Sequence, residues 1–293
     1  MLVNVGFCFS IGKNKNYYKI VLSTITLMLS KTSDNNQYDI YILTDYDIDV
    51  ASSTAAIKKA INKNNFNLKI LKPNDELKHI DGHHWTIGTF YKFLFLELLP
   101  NSVKTMVYFD PDMYFNCDVA EFYIQPLENN HIGGWIDLSY KKWDKEYNVQ
   151  YIPKNHRCYK ELVQHFKTDT YLCAGCLLMN IELMRQDNIY QQLLDVHERN
   201  VNNGYVYSDQ ECFNAVCKKK VIKYYGMNLD WCGYWWKMNL AYFKDRKKFK
   251  IIHFHHPKFW SKKMWILYII NPNLIFFKKC IKEWNKYYKS LQV

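Results

Sequence analysis

The first part of the chain alternates short apolar runs with longer segments of helical pattern, and this alternation limits the fold more than any other feature. The apolar runs predict strands at Val3–Phe9, Tyr38–Leu43 and Asn67–Leu71, and a fourth strand that ends at Asp110. The segments between them predict helices over Tyr17–Leu29, Ser53–Asn62 and Thr86–Leu99. Strands that alternate with helices of this length form βαβ units and pair in parallel. The sequence therefore predicts an α/β fold with a mainly parallel central sheet flanked by helices.

The second part of the chain shows a looser version of the same pattern. Apolar runs predict strands at Ile132–Asp137 and Tyr171–Asn180, and a further strand that begins at Ile251. Helical patterns cover Ile181–Arg199 and Ser208–Cys217. Since no linker or internal repeat interrupts the chain, we expect one domain over residues 1–260 and a basic, aromatic helical tail over residues 261–293.

The positive charge of the chain is confined to its last fifty residues. The net charge is +11, and residues 244–293 carry 13 Lys and Arg against Asp245 and Glu283, so the rest of the chain is neutral. A nucleic-acid-binding protein more often carries basic residues around its reading surface. Composition and charge therefore favour a globular protein with no nucleic-acid partner.

Cysteine usage and hydropathy bear on the compartment. Nine cysteines without regular spacing favour reduced cytosolic thiols over a disulfide framework, and Cys173 and Cys176 lack the second pair that a zinc site needs. The first basic residue is Lys13, which is too late for a signal peptide. The apolar run Met264–Ile270 is far shorter than the roughly 20 residues that span a bilayer. We expect a cytoplasmic protein, soluble or bound peripherally at the inner face of the membrane.

The segment Val107–Phe115, VYFDPDMYF, places two carboxylates at the end of a predicted strand. In extended backbone Asp110 and Asp112 point the same way, and Pro111 between them ends the ladder of hydrogen bonds. Two carboxylates so close repel each other, and a divalent cation relieves that repulsion. A solvated acidic turn is the alternative interpretation of this motif taken alone.

A second segment, Ile251–Trp260, reads IIHFHHPKFW and follows a strand with His253, Lys258 and Trp260. Two carboxylates and one imidazole suit Mn²⁺, whereas Mg²⁺, the other candidate, prefers oxygen ligands alone. The Lys258 ammonium is then available to neutralise a phosphate. A single His is more often structural than a ligand, so this interpretation depends on the convergence of the two segments.

At this point the sequence resembles the retaining glycosyltransferases of family 8, which include glycogenin and bacterial lipopolysaccharide galactosyl- and glucosyltransferases. Four segments carry the resemblance in the family's order and approximate spacing: VYFDPDMYF, LCAGCLLMNIELMR, YSDQECFN and IIHFHHPKFW. The resemblance implies a GT-A fold, in which a nucleotide-binding α/β sheet lies beside an acceptor site. It also implies that Asp110, Asp112 and His253 bind Mn²⁺, which grips the diphosphate of a UDP-sugar, and that Lys258 contacts phosphate.

The resemblance also implies roles for residues outside the metal site. The loop after the first strand holds the uridine, with candidates Phe9, Ser10, Asn14 and Tyr17. Lys92 falls where a basic residue touches the donor. The positions that hold the transferred sugar or the acceptor fall on Asp137, Asp209 and Gln210, with Gln210 near the anomeric carbon.

Some residues depart from the family's pattern. Cys173 replaces an Asn that binds a sugar hydroxyl, Ser10 replaces an Asp that contacts uracil, and the last motif is one residue shorter, with His256 and Phe259 at altered positions. A catalytically inactive UDP-sugar-binding protein therefore stays open as an alternative, and so does a metal-dependent phosphodiesterase.

The predicted reaction is transfer of a hexose from a UDP-sugar to a hydroxyl of an oligosaccharide or lipid-linked glycan, with retention at the anomeric carbon. This would serve lipopolysaccharide or other cell-surface glycan synthesis. We favour attack on the face from which UDP departs, with the leaving phosphate accepting the proton, and Asp209 is the nucleophile in the covalent alternative.

The tail from Asn273 has the pattern of an amphipathic helix. Its apolar face comprises Leu274, Phe277, Ile281, Trp284 and Tyr288, and lysines occupy the remaining positions. Two interpretations stay open. In one, the helix packs on the protein body and exposes its lysines. In the other, it lies on an anionic membrane with Trp and Tyr at the lipid interface.

Overall fold

The predicted βαβ units are present. A computed structural model describes residues 1–11, 16–74, 87–136, 172–202, 209–224, 228–231, 250–254, 258, 260 and 275–291. Its first elements are β1 (Leu2–Phe9), α1 (Tyr17–Ser30), β2 (Gln37–Thr44), α2 (Val50–Ile61) and β3 (Phe66–Leu71). Strands β1, β2 and β3 pair in parallel, and β1 is buried from Val3 to Phe9. Near-continuous apolar sequence is typical of such a strand, because both of its faces are covered.

The main sheet has seven strands in the order β3-β2-β1-β4-β7-β6-β8. The additional strands are β4 (Thr105–Phe109), β6 (Ile132–Ile136), β7 (Leu172–Asn180) and β8 (Val221–Lys223). Strand β7 runs antiparallel to both of its neighbours, whereas the other four pairings are parallel. The prediction of a mainly parallel central sheet is therefore confirmed.

A second, smaller sheet joins three short strands in the order β5-β10-β9. These strands are β5 (Met113–Phe115), β9 (Asn228–Trp231) and β10 (Ile251–Phe254). Strand β10 pairs antiparallel with β5, and His253 lies opposite Met113. Because β5 begins directly after Asp112, this pairing brings the late histidine to the Asp-x-Asp segment.

Helices cover both faces of the main sheet and surround two apolar clusters. On one face α1 and α2 contribute Val21 and Ile57. On the other face Phe93, Leu193 and Phe213 pack from the helices that follow β3. Those later helices are a 3₁₀ helix over Ile87–Leu94, then α3 (Phe95–Leu98), α4 (Ala120–Tyr123), α5 (Ile181–Gln186), α6 (Ile189–Asn202), α7 (Asp209–Cys217) and α8 (Ile275–Ser290).

Three helix predictions differ from the structure in detail. Helix α2 begins earlier than predicted, because the Asp49 carboxylate caps it by accepting the Ser52 N–H at 3.0 Å. The segment predicted as a helix over Thr86–Leu99 is a 3₁₀ helix over Ile87–Leu94 that continues as α3. The helix predicted over Ile181–Arg199 is divided between α5 and α6 near Asn188, whose φ of 50° is left-handed.

The C-terminal helix α8 packs on the body of the protein. Its residues Cys280, Ile281, Trp284 and Tyr287 are buried in a cluster with residues of α1, β5 and β10. The lysines of this helix are exposed, and they are Lys278, Lys279, Lys282, Lys286 and Lys289. Of the two interpretations that the sequence left open for this helix, the structure shows the one in which it packs on the protein body, and Trp284 is 1% exposed. Among the described helices, none is long and apolar enough to cross a membrane.

Hydrogen bonds connect α8 to the segment between β4 and β5. The Trp284 indole N–H donates to Thr24 Oγ1 of α1 at 3.1 Å, and the Thr24 hydroxyl donates to the carbonyl of Pro111 at 2.6 Å. The Tyr114 hydroxyl donates to Glu283 at 2.6 Å, and Lys31 forms an ion pair with the same carboxylate. Hydrogen bonds through Thr24 therefore connect the last helix to the turn that carries Asp110 and Asp112.

Candidate active site

The three predicted metal ligands lie together where β4, β5 and β10 meet. His253 Nε2 is 3.1 Å from Asp112 Oδ1 and 3.7 Å from Asp110 Oδ2, and one ligand atom from each residue lies within 4.8 Å of the others. The pairing of β10 with β5 sets this approach, and the Phe254 N–H donates to the Asp112 carbonyl at 2.9 Å. Asp112 and His253 are buried, while the Asp110 side chain is 27% exposed.

The second oxygen of each carboxylate is occupied by another side chain. Asp110 Oδ1 accepts from the Tyr108 hydroxyl at 2.6 Å and from Lys92 Nζ at 3.3 Å. Asp112 Oδ2 forms an ion pair with Lys258. Because these contacts take one oxygen of each carboxylate, the other oxygens, Asp110 Oδ2 and Asp112 Oδ1, are the ones that face His253 Nε2.

Gly175 on β7 leaves the space in which these three ligands meet. A Cβ atom at this position would lie 2.3 Å from His253 Cε1 and 2.8 Å from Asp110 Oδ2. The Gly175 carbonyl also accepts the Asp110 N–H at 2.8 Å, which fixes the backbone of the Asp-x-Asp turn. Two carboxylate oxygens and one imidazole nitrogen around a cradle that a single Cβ would fill are a set that fits a divalent cation.

Lys92 lies buried beneath the metal ligands. Its ammonium is 2.5 Å from Asp209 Oδ2, 3.3 Å from the Ala174 carbonyl and 4.5 Å from the centre of the Tyr108 ring. Burial favours the neutral amine, but the Asp110 and Asp209 carboxylates outweigh it and raise the pKa of Lys92 above its usual range. Lys92 is therefore a fixed positive charge that connects the helix α7 to the Asp-x-Asp turn.

Among the described residues of this site, acidic side chains outnumber basic ones. The carboxylates of Asp110, Asp112 and Asp209 outnumber the ammonium groups of Lys92 and Lys258 by one. A divalent cation at Asp110 and Asp112 would compensate this excess of negative charge.

Helix α7 is held on strand β7 by side-chain contacts to the backbone. Gln210 Oε1 accepts the Ala174 N–H at 3.0 Å. Asn214 one turn later accepts the Leu172 N–H at 2.7 Å and donates to the Leu172 carbonyl at 2.8 Å. These contacts place Asp209 and Gln210 near the candidate metal ligands, and the resemblance implied that these two residues contact the sugar or the acceptor.

The first loop contributes the other predicted donor contacts. Ser10 Oγ donates to Asp45 Oδ2 at 2.6 Å, and the Tyr91 hydroxyl donates to the same oxygen at 3.3 Å. The ring of Tyr17 packs against the rings of Phe9 and Trp260, with ring centres 5.9 Å and 6.2 Å apart, respectively. Burial, and after it the charges of Asp112 and Asp110, raise the pKa of Tyr17 above its usual range. The predicted residues Asn14 and Asp137 lie outside the described residues.

Sequence reasoning did not identify Tyr108 or Gly175 as parts of the site. Tyr108 carries a signal that was available, since it lies two residues before Asp110 and so points to the same side of the strand. Gly175 carries only a weak signal, because a glycine in a buried strand has several explanations.

The sheet order and the flanking helices define a fold of the GT-A type. The chain belongs to Glycosyl transferase family 8, because the sequence model of that family matches residues 8–264. The fold is similar to that of a solved structure of the galactosyltransferase LgtC in complex with donor and acceptor sugar analogs. The TM-score is 0.68 at 16% identity, and the match covers 99% of this chain and 97% of LgtC.

Two relatives share parts of the sequence. A Haemophilus influenzae protein named as a glycosyltransferase is 24% identical over 131 residues, which cover 45% of this chain and 36% of that protein. The xylosyl- and glucuronyltransferase LARGE1 of Danio rerio is 23% identical over 192 residues, which cover 62% of this chain and 23% of LARGE1. The chain thus matches only about a third and a quarter of the lengths of these two relatives.

Proposed function

We propose that the protein transfers a hexose from a UDP-sugar to a hydroxyl of an oligosaccharide or lipid-linked glycan, with retention, and that it depends on Mn²⁺. The synthesis of lipopolysaccharide or another cell-surface glycan is the process we assign to it. The observation that carries the proposal is the convergence of Asp110 Oδ2, Asp112 Oδ1 and His253 Nε2 in a chain of family 8.

The metal would be held by Asp110, Asp112 and His253, and its charge would stabilise the negative charge that grows on the leaving diphosphate. Lys258 supports the same task, because its ammonium lies at the metal ligands while its side chain is 40% exposed. This position allows Lys258 to bind phosphate as a point charge. Ser10, Phe9 and Tyr17 would hold the uridine at the adjacent end of β1.

The contacts of Asp209 favour same-face attack over a covalent intermediate. Its side chain is 9% exposed, and its carboxylate accepts a hydrogen bond from Lys92 at 2.5 Å, which lowers its nucleophilicity. In the reaction we propose, the bond between the anomeric carbon and the UDP oxygen breaks, and the acceptor oxygen bonds to that carbon on the same face. The acceptor proton passes to the leaving phosphate oxygen. Asp209, Gln210 and Asp137 would orient the sugar and the acceptor.

Thermal unfolding with UDP, with and without Mn²⁺, tests the binding half of this proposal. A ligand that binds only the folded state raises the melting temperature, so we expect a shift that requires both compounds. Asp110→Ala and Asp112→Asn should abolish the shift. Asp47→Asn is the matched control, since the Asp47 side chain is 99% exposed and pairs only with Lys72 among its described contacts. The absence of any shift in the unaltered protein would refute the proposal.

Transfer itself is tested by product analysis with UDP-glucose and UDP-galactose on saccharide acceptors. Binding of UDP with Mn²⁺ but no transfer or hydrolysis of any UDP-sugar would favour the inactive, sugar-nucleotide-binding alternative. Cys173 in place of the amide expected in the family is the observation that keeps this alternative open. Cleavage of phosphodiesters would favour the phosphodiesterase.

We also propose that the exposed lysines of α8 hold the enzyme at an anionic membrane surface. The structure changes the form of this proposal, because the apolar face of the helix is buried and only charge is presented. Lys278→Glu combined with Lys282→Glu should reduce flotation with anionic liposomes and leave neutral liposomes unaffected. Flotation equal to that of the unaltered protein would exclude this role.

A further inference from the structure

The imidazole of His253 lies between the two carboxylates on one side and strand β7 on the other. Its Nε2 faces Asp112 Oδ1 at 3.1 Å, and its Nδ1 lies 3.4 Å from the Sγ atom of Cys173. Cys173 is 2% exposed and His253 is 3% exposed, so solvent does not compete for the contact between them. Cys173 and Gly175 point to the same face of β7, because they are two residues apart in a strand. The imidazole ring of His253 packs against both of these residues.

The two nitrogens of a neutral imidazole carry one proton between them. An ionised carboxylate only accepts hydrogen bonds, so the contact between Nε2 and Asp112 places the proton on Nε2 and leaves Nδ1 as an acceptor. A metal ion instead needs the lone pair of Nε2, so the proton must then lie on Nδ1. The partner of Nδ1 therefore has to donate in one state and accept in the other.

A thiol can do both. Its S–H donates weakly and its sulfur accepts weakly, so Cys173 can face Nδ1 in either tautomer without a change of rotamer. In metal sites, the group that accepts the second N–H of a histidine ligand fixes the orientation of the ring and raises its basicity. Cys173 occupies that place here, at the position where the family carries the sugar-binding amide.

We propose that Cys173 is a positioning residue for the metal site, which accepts the Nδ1–H of His253 and directs Nε2 toward the cation. This rests on the proposed metal dependence of the function.

Direct measurement of Mn²⁺ affinity tests the proposal without reference to activity. Free Mn²⁺ is followed by electron paramagnetic resonance in titrations of the unaltered protein and of Cys173→Ala, Cys173→Ser and Cys217→Ala. Cys173→Ala removes both the donor and the acceptor, and we expect the affinity to fall about 10-fold. Cys173→Ser keeps a hydroxyl that donates and accepts, and should lose less. Cys217→Ala deletes an equally buried thiol on α7 and should bind Mn²⁺ like the unaltered protein.

Equal affinity in Cys173→Ala and the unaltered protein would overturn the proposal while leaving the metal site intact. If the unaltered protein binds no Mn²⁺, or if His253→Ala binds it equally well, the metal site itself fails and the proposal fails with it. Cys173→Val, which is close to cysteine in size and lacks both hydrogen-bonding functions, gives the same test if Cys173→Ala does not fold.

Discussion

Replacement of Gly175 by alanine is the sharpest single perturbation of the metal site that the structure offers. The added Cβ would lie 2.3 Å from His253 Cε1 and 2.8 Å from Asp110 Oδ2. Carbon atoms in contact lie about 3.5 Å apart, so the ring has to move by roughly 1 Å. Metal–ligand distances tolerate only about 0.2 Å, so this displacement takes Nε2 out of coordination range. We expect Mn²⁺ affinity to fall by at least about 100-fold in Gly175→Ala.

The cost to folding should be much smaller than the cost to metal binding. One extra methyl group in a packed site destabilises a protein by about 1–3 kcal/mol, which lowers the melting temperature by less than about 10 °C. The assay combines Mn²⁺ titration by electron paramagnetic resonance with thermal unfolding in the absence of metal. A Gly175→Ala protein that is folded but does not bind Mn²⁺ would show that the substitution disrupts the metal site without unfolding the protein.

Gly134→Ala in the neighbouring strand β6 is the matched control. A Cβ atom there would meet the Cys176 carbonyl at 3.1 Å and side-chain carbons of Leu172 and Leu177 at 3.4 Å, and none of these belongs to a metal ligand. This variant should bind Mn²⁺ normally. Unchanged Mn²⁺ affinity in Gly175→Ala would refute the assignment of Asp110 and His253 as ligands around this cradle.

Three further outcomes are expected. Tyr108→Phe removes the hydroxyl that donates to Asp110 Oδ1 at 2.6 Å, a hydrogen bond to a charged group that contributes about 1.5–3 kcal/mol. This variant should therefore bind Mn²⁺ more weakly, and equal Mn²⁺ affinity by titration would contradict this. Trp284→Ala leaves a cavity at a residue that is 1% exposed and should lower the free energy of unfolding in urea by about 3–5 kcal/mol. Tyr288→Ala on the same helix removes a half-buried side chain and should lower that free energy less. Burial alone would raise the pKa of Glu283, but its hydrogen bonds from Lys31 and Tyr114 outweigh burial and lower that pKa below its ordinary value of 4.5. The stability that this carboxylate contributes is complete above that value and is lost as the pH falls through the lower, folded pKa. Glu283→Gln should therefore flatten the pH dependence of urea unfolding below about pH 5.

The parts of the fold that depend on residues close together in the sequence were predictable. Strands β1 to β4 follow from apolar runs, and the Asp-x-Asp turn follows from their period and from Pro111. The type of helix over Ile87–Leu94 was not predictable, because apolar stripes with periods of 3.0 and 3.6 residues differ little over two turns. The break at Asn188 was not predictable either, since it depends on a left-handed residue inside an otherwise continuous helical pattern.

The site was predictable where a motif names a residue and not where the chain brings distant residues together. Asp110, Asp112 and His253 could be named from two segments, and the structure brings them together. The contact between Lys92 and Asp209 joins residues 117 positions apart, and their burial as a pair depends on how α7 packs on β7. No local pattern contains that information. The packing of Trp284 on α1 was likewise one of two interpretations that the sequence left equal.

The packing of α8 connects the candidate metal site to the last described helix through a chain of hydrogen bonds. From Trp284 the hydrogen bonds run through Thr24 to the carbonyl of Pro111, the residue between the two acidic ligands. Cation binding that orders this turn must also favour the docked helix, and an undocked helix must weaken cation binding by the same free energy. Mn²⁺ should therefore slow amide hydrogen exchange in α8, far from the ion. A surface that draws the lysines of this helix would, through the same linkage, alter how tightly the enzyme holds its metal.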